Sequence, residues 1–435
     1  MRAWQRPDIP SIPGCSGTPL LHDTASGKLV EARPTDVARL YVCGITPYDA
    51  THLGHAATYL AFDTLQRVWL DSGYRVHYAQ NVTDIDDPLL ERAAATGIGW
   101  RELAESQIEI FRTDMEALGI IPPDEYVAVT EVIDEIAAAV CQLWDAGLAY
   151  PVDTVGALTG PNGEGGSDLY FDIAAAERQT PWKLGEESNL DRDMMLARFA
   201  ERGGDPDRAG KRDALDPLLW RAARAGEPSW ESRVGAGRPG WHIECSVIAL
   251  KELGADFTVQ GGGSDLIFPH HDMSAGHAAA LSGHPLAGVY SHAGMVAYQG
   301  EKMSKSLGNL VLVSGMVANG VDPRAIRLAL LAQHYRTDWE WTDAQLDTAE
   351  KRLKRWNAAF GVQAVSGVQA VSGAQAVSEY TDTNTVIELL RTALANDLDT
   401  PSALAVVDAA AEQSVDDPAL LARAIDALLG VTLQT

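Results

Sequence analysis

Sulfur, imidazole and ammonium side chains stand at spacings in this chain that could do chemistry. Cys43 opens the stretch Cys43-Gly-Ile-Thr-Pro-Tyr-Asp-Ala-Thr-His-Leu-Gly-His55, and its sulfur is a soft metal ligand. His52-Leu-Gly-His55 sets two imidazoles around a glycine where a helix should begin, a place where backbone N–H groups and the helix dipole favour phosphate. Far downstream come Cys245, the pair His270-His271 and the loop Gly261-Gly-Gly-Ser-Asp265. Two cysteines with His270 or His271 suit Zn²⁺, and three protein ligands with an open fourth position describe a reactive site; the plainer reading is that free cysteines are small buried hydrophobes. Three glycines after a strand let the backbone approach a ligand closely, and an acid beside them can accept hydrogen bonds from a ribose. Lys302-Met-Ser-Lys-Ser306 places two lysines among small residues, suited to swing onto a polyphosphate.

The elements that must position these groups follow from the hydrophobic pattern. Ala38 to Val42 is an apolar run and Ala56 to Leu70 mixes Leu60, Leu65 and Val68 with helix formers, so strand, loop and helix are expected, with the loop at the carboxyl end of a buried strand. Tyr74 to Gln80 is a second strand, ending in Asn81-Val-Thr-Asp-Ile-Asp-Asp-Pro88. Ala104, Ile108, Phe111, Met115 and Leu118 recur at helical spacing over Trp100 to Leu118, and Val129 to Trp144 reads as a partner helix. The second half of the sheet is expected from Leu218 to Trp220 onward, with a helix over Trp241 to Leu253 and a strand over Phe257 to Gln260. Helices follow over Ala325 to His334 and Asp343 to Phe360.

The domain plan is therefore α/β. An extended leader (1–37) precedes a parallel-sheet catalytic domain in two halves (38–95 and 214–311), split by an insertion (96–213). A helical stem (312–360), a linker (361–378) and a C-terminal helical region (379–435) complete it. The linker is the triplicated hexapeptide GVQAVS, GVQAVS, GAQAVS, too short a unit to bury a core.

At 435 residues the chain exceeds one compact core. Thirteen N-terminal residues with three prolines carry no apolar core of a signal peptide, and no run is apolar enough to span a bilayer, so a cytoplasmic protein without a membrane partner is expected. Four cysteines do not make a disulfide framework in a chain of this size. A formal charge of -26 opposes long-range attraction to nucleic acid, and the segment from Thr381 to Thr435 holds nine acidic residues against Arg391 and Arg423, a poor surface for gripping RNA.

His52-Leu-Gly-His55 followed at long range by Lys302-Met-Ser-Lys-Ser306 resembles the signature pair of class I aminoacyl-tRNA synthetases. Cys43-Gly-Ile-Thr, Trp241-His-Ile-Glu-Cys245 and Gly261-Gly-Gly-Ser-Asp-Leu-Ile-Phe-Pro-His-His271 look like the cysteinyl branch, over about Leu40 to Trp341. Two departures matter: Ser274 stands where that branch carries a fourth zinc ligand, a glutamate, and the C-terminal region is short and acidic. Both departures, with Glu201-Arg-Gly-Gly-Asp-Pro206 and the Thr-Pro of Gly44-Ile-Thr-Pro47, are similar to the cysteine ligases of mycothiol biosynthesis, which join cysteine to the amine of glucosaminyl-inositol.

That resemblance implies a class I synthetase-like Rossmann catalytic domain, with ATP accompanied by Mg²⁺, L-cysteine and glucosaminyl-inositol as substrates and no nucleic-acid partner. It implies one zinc on Cys43, Cys245 and His270, and catalytic roles for His52, His55, Lys302 and Lys305. Cysteinyl-AMP would contact Cys43, Gly44, Ile45, Thr46, Thr58, Asn81, Val82, Thr83, Trp241, Gly263, Ser264, Asp265 and Val296, with Thr46, Thr83 and Trp241 holding the amino acid. A monomer is expected, and a cysteinyl-tRNA synthetase is the alternative.

Overall fold

The computed structural model describes residues 1–48, 51–158, 166–303, 309–361 and 381–433, and of Lys302 the backbone alone. Lys305, most of the glycine-rich loop at 160–166 and the repeats from 362 onward lie outside the described residues.

A hairpin of β1 (Leu20–Asp23) and β2 (Lys28–Glu31) leads into the core. Then come β3 (Val37–Val42), α1 (Leu53–Asp71), β4 (Arg75–Val82), α2 (Asp87–Thr96), α3 (Trp100–Ala117) and β5 (Glu125–Ala128). Leu40, Tyr41 and Val42 are buried side by side in β3, as expected of a strand covered on both faces. After α4 (Ile133–Asp145), four antiparallel strands intervene: β6 (Ala149–Asp153), β7 (Ser167–Phe171), β8 (Leu218–Ala222) and β9 (Gly237–Pro239). Helices α5 (Ile173–Gln179) and α6 (Arg192–Glu201) lie between β7 and β8 in the chain. The chain then supplies α7 (Trp241–Leu253), β10 (Phe257–Gly263), α8 (Asp272–Ser282) and β11 (Ala287–Ala293).

The central sheet is parallel with the order β11-β10-β3-β4-β5. The chain builds outward from β3 in one direction and from β10 in the other, so the order reverses between these two strands. Ligands of open α/β sheets bind in the crevice that such a reversal leaves at the carboxyl ends. Cys43 and Gly261 to Gly263 stand at that crevice, with the Cys43 N–H donating to the Gly261 carbonyl at 3.2 Å.

Three details differ from the sequence reading. His52 is already the N-cap, so α1 begins at Leu53 rather than near Ala56. Gly261 to Gly263 extend β10 instead of forming a loop, because their pairing with Ser291, His292 and Ala293 continues the ladder. The strand over Leu218 to Trp220 exists but pairs antiparallel with β7 and β9; a short apolar run does not say which sheet it joins.

Beyond the core, β12 (Val296–Tyr298), β13 (Glu301–Lys302) and β14 (Trp339–Glu340) form a small sheet. They are accompanied by α9 (Val313–Ala318), α10 (Pro323–Leu331) and α11 (Asp343–Phe360). Helices Thr383–Ala395, Thr400–Ala411 and Pro418–Leu429 follow, their apolar faces joining the same core as α1, α3 and α10. Among the described residues no helix is long and apolar enough to cross a membrane.

One buried ionic network ties these layers together. Asp63 of α1 accepts from Arg67 Nε at 2.9 Å, from the Arg327 guanidinium of α10 and from Ile121 N–H at 2.8 Å. Arg327 also donates to Leu429 O (2.7 Å) and Leu118 O (2.8 Å), and Arg67 to Gly119 O and Asp426 O, both at 3.0 Å. The guanidiniums thereby reach carbonyls at the C-terminal ends of α3 and of helix Pro418–Leu429, where helices leave acceptors free for outside donors. Burial would raise the Asp63 carboxyl, but Arg327 and Arg67 outweigh it and hold it below its ordinary value. Arg327 itself is drawn down to about 10, mainly by burial, and stays charged at neutral pH.

Asp63→Asn strands two buried guanidiniums, so a loss of about 3–5 kcal/mol in urea unfolding is expected. Because the folded carboxyl titrates below its unfolded value, its contribution is complete above the ordinary carboxylate range and disappears as pH falls through the folded value. A loss under about 1 kcal/mol at neutral pH, the scale of an exposed pair, would show the network to be marginal.

Candidate active site

Cys43, at the end of β3, Cys245, in the first turns of α7, and His270, in the turn before α8, form a buried group whose ligand atoms all lie within 4.8 Å of one another. His270 Nε2 is 3.2 Å from Cys245 Sγ, while its Nδ1 faces His242 Nδ1 at 3.0 Å, so Nε2 is the nitrogen turned toward the sulfurs. The Trp241 ring stacks on His270 with centroids 4.3 Å apart. His271 takes another course: its Nε2 lies 3.3 Å from Cys43 Sγ, its Nδ1 2.7 Å from His292 Nε2, and His292 Nδ1 2.7 Å from Thr24 Oγ1. Between the two histidines, the geometry groups His270 with both sulfurs.

Burial pushes the Cys245 thiol well up, and the neighbouring Cys43 adds to the shift. Burial likewise keeps His270 neutral, the form in which imidazole binds metal. Two thiolates side by side in an apolar setting need a cation, and a soft divalent ion such as Zn²⁺ fits two sulfurs and an imidazole. Ser274 does not join the group: its hydroxyl donates to His242 O at 3.1 Å. Among the described residues, the cluster thus offers three protein ligands.

The adjoining loops are cross-braced. Gly44 N–H donates to Asn81 Oδ1 at 2.9 Å, Thr83 N–H to Ile45 O at 3.0 Å, and Asn81 Nδ2 to Thr83 Oγ1 at 3.1 Å. A Cβ on Gly44 would stand 1.6 Å from Asn81 O, so only glycine permits this approach. Asn81, Val82 and Thr83 are buried behind the wall they brace. His52 caps α1 through Nδ1, which accepts from Gly54 N–H at 3.1 Å, and its ring lies 4.0 Å from that of His55. Thr58 Oγ1 returns to Gly54 O at 3.2 Å.

One cavity of about 1180 Å³ joins these parts, lined by Cys43, Gly44, Ile45, Thr46, His52, His55, Thr58, Trp241, Gly263, Asp265 and Val296. Cys43 alone of the three cluster residues reaches its wall, and Ser264 is half-buried in the turn outside it. Lys302 belongs by its backbone to β13, paired with Ala297, and the next residue, Met303, lines the cavity. A further residue, absent from the sequence-based set, is Arg202. Its guanidinium donates to Asp265 O and Phe268 O, fastening Glu201-Arg-Gly-Gly-Asp-Pro206 to the end of β10. The two glycines that follow it were the available signal, and they did not say where the arginine reached.

Known proteins place this architecture. By structure, *Mycobacterium tuberculosis* methionyl-tRNA synthetase in complex with methionyl-adenylate is similar at a TM-score of 0.56 and 16% identity, over 92% of this chain and 89% of that one. The *Agrobacterium radiobacter* K84 LeuRS in its ternary complex gives 0.60 at 13% identity, over 92% and 84%, and both likenesses concern the fold alone. By sequence, residues 29–351 match the family of tRNA synthetases class I (C) catalytic domains. The *Clavibacter michiganensis* subsp. *michiganensis* protein named L-cysteine:1D-myo-inositol 2-amino-2-deoxy-alpha-D-glucopyranoside ligase is 61% identical over 100% of this chain and 99% of its own length. The protein of the same name from *Paenarthrobacter aurescens* is 54% identical over the whole of both chains. The crevice at the strand reversal and these full-length matches lead to one conclusion: the chain belongs to the class I (C) tRNA synthetase family and, within it, to the L-cysteine:1D-myo-inositol 2-amino-2-deoxy-alpha-D-glucopyranoside ligases.

Proposed function

We propose that this protein is an ATP-dependent, AMP-forming ligase that joins L-cysteine to the amine of 1D-myo-inositol 2-amino-2-deoxy-alpha-D-glucopyranoside, a step of mycothiol biosynthesis. The observation that carries this reading is full-length identity of 61% and 54% to relatives of that name. The cysteine carboxylate attacks the α-phosphorus of ATP, pyrophosphate leaves, and the sugar amine then displaces AMP from the cysteinyl carbonyl.

The start of α1, with His52 and His55, receives the phosphates, where helix N–H groups and two imidazoles meet negative charge. Lys302 and Lys305 add positive charge as pyrophosphate departs. Gly263, Ser264 and Asp265 take the adenosine, and Val296 closes that side. Thr46 and Trp241 orient the amino acid, with Asn81 and Thr83 fixing the loops behind them. Cys43, Cys245 and His270 would hold Zn²⁺, which when bound would supply a Lewis acid for the substrate sulfur. Serine forms no comparable bond, so selection needs no separate editing site. The ligase works as a cytoplasmic monomer.

A tRNA acceptor is the alternative, and the C-terminal region disfavours it. Of its two arginines, Arg391 is buried against Asp71 at 2.8 Å, which leaves the exposed Arg423 alone among nine acidic residues, too little positive charge for a phosphate track. The deciding assay offers purified enzyme, ATP and cysteine first the aminosugar and then tRNA. Transfer to the aminosugar without tRNA charging is expected, with a transfer rate that rises with pH as free amine increases. Synthetase-like charging of tRNA with no aminosugar product would establish the alternative.

Two further outcomes test the site. Purified enzyme should carry one zinc per chain by elemental analysis, and Cys245→Ala should lose both metal and cysteine-dependent pyrophosphate exchange; full exchange in a metal-free preparation would remove zinc from the reaction. Lys302→Ala and Lys305→Ala should slow pyrophosphate exchange by at least about 100-fold with little change in cysteine affinity, because they act on charge that develops at the phosphates. Equal losses in rate and affinity would assign them to ground-state binding.

A further inference from the structure

The cavity is larger than activation requires. Pockets for a single small ligand commonly enclose roughly 300–1,000 Å³, whereas this one encloses about 1180 Å³ and continues past Trp241 to a polar wall made by α2, β8 and β9. Asp86, Asp87 and Glu91 line that extension together with Arg221 of β8 and Arg238 of β9. Neither the nucleotide-binding end nor the metal cluster uses these five residues.

Their charges are not equivalent. Asp87 is paired with Arg238, and Arg221 with Glu227 at 3.1 Å. Deeper along the wall, Asp168 is held by Arg224 at 2.9 Å and Asp205 by Lys211 at 3.0 Å. Asp86 is half-buried and has no ion pair among the described residues; the bond given for its carboxylate is the one it accepts, as N-cap of α2, from Asp87 N–H at 2.8 Å. A carboxylate has further lone pairs beyond that bond. Asp86 also follows Thr83 by three residues, so the chain keeps it within about 11 Å of the amino-acid loops. The buried carboxyl of Glu244, next to Cys245, feels its charge.

Resting on the function proposed above, we propose that Asp86 receives the ammonium of the acceptor aminosugar and takes its proton, while Asp87, Glu91, Arg221 and Arg238 bind the polyol hydroxyls. The incoming amine arrives protonated. One proton passes to Asp86 and the freed nitrogen pair forms the amide C–N bond. The carbonyl C–O bond to phosphate breaks, AMP leaves with that electron pair, and the second nitrogen proton goes to solvent. The paired carboxylates and guanidiniums of the far wall present acceptors and donors at once, which suits a ring carrying many hydroxyls and no net charge. Burial first, and then the neighbouring charge of Asp87, raise the Asp86 carboxyl to about 6 against the pull of Arg238 and Arg221, which brings it nearer to an amine it must deprotonate.

The test separates the half-reactions. Asp86→Asn keeps a good N-cap, so the fold and pyrophosphate exchange should persist. Single-turnover transfer from preformed cysteinyl-adenylate to the aminosugar should fall by at least about 100-fold, with a raised KM for the aminosugar and unchanged KM for cysteine. Asp86→Glu, which keeps a carboxylate, should recover part of the transfer rate. If wild-type enzyme transfers to the aminosugar and Asp86→Asn does so equally well, the assignment of Asp86 is overturned while the function stands. Loss of exchange and transfer together in Asp86→Asn would also overturn it, by placing Asp86 in activation. Wild-type enzyme that forms adenylate but transfers nothing to the aminosugar overturns the function and this inference with it.

Discussion

A single carboxylate buried between two guanidiniums decides how the layers of this protein meet. Asp63 lies on α1, the helix whose first turn lines the cavity, and Arg327 lies on α10. The remaining guanidinium donors end on carbonyls of Leu118, Gly119, Asp426 and Leu429. Hydrophobic packing alone would let these helices slide, since apolar contact is not directional. Hydrogen bonds from a planar guanidinium have a direction, and here they fix α1 against the stem and the last helix in one register. The position of His52 and His55 therefore depends on charges buried further along α1, at Asp63 and Arg67.

A second constraint acts at the reversal between β3 and β10. Glycine at 44 allows the loop after β3 to lie against Asn81, and Asn81 in turn braces Thr83. The cluster of two sulfurs and an imidazole then sits on loops that cannot shift independently of the strands. His242 on one side of His270, and His271 with His292 and Thr24 beside Cys43, extend this bracing outward. Such outer contacts orient metal ligands and fix which imidazole nitrogen is free. They account for four histidines and a threonine around a cluster in which one histidine joins the two sulfurs.

Much of this was readable in the sequence because glycines, cysteines and histidines at the ends of apolar runs leave local marks. The strand before Cys43, the helix over Trp241 to Leu253 and the membership of Cys43 and Cys245 in one site follow from such marks. What was not readable depended on partners distant in sequence. Leu218 to Trp220 has the pattern of a strand, yet its place beside β7 and β9 is set by pairing that no local window contains. The choice between His270 and His271 turned on which ring His242 would meet. Asp63 reads as a lone acid on a helix, and Arg327 as an arginine on another; their sequence separation of 264 residues hides the pair. Asp86 reads as one of several polar groups just past β4, and the cavity shows which of them reach its wall.

The acceptor end also bears on how one fold serves different acceptors. On the proposed function, the parallel sheet carries the groups for activation, whereas the cavity wall beyond Trp241 comes from α2 and from strands of the antiparallel sheet. Arg202, after α6, connects the two by donating to carbonyls just past β10. A change of side chains on β8 or β9 can therefore alter what is accepted without moving the adenylate, because the parallel strands do not share their hydrogen-bond ladder. The C-terminal helices support the same division of labour: Arg391 is spent on Asp71, and its region contributes a packed face to α1 rather than a basic surface. On the function proposed above, the helices that follow the catalytic core would act on the reaction by bracing α1, and the acceptor would meet the adenylate inside the core itself.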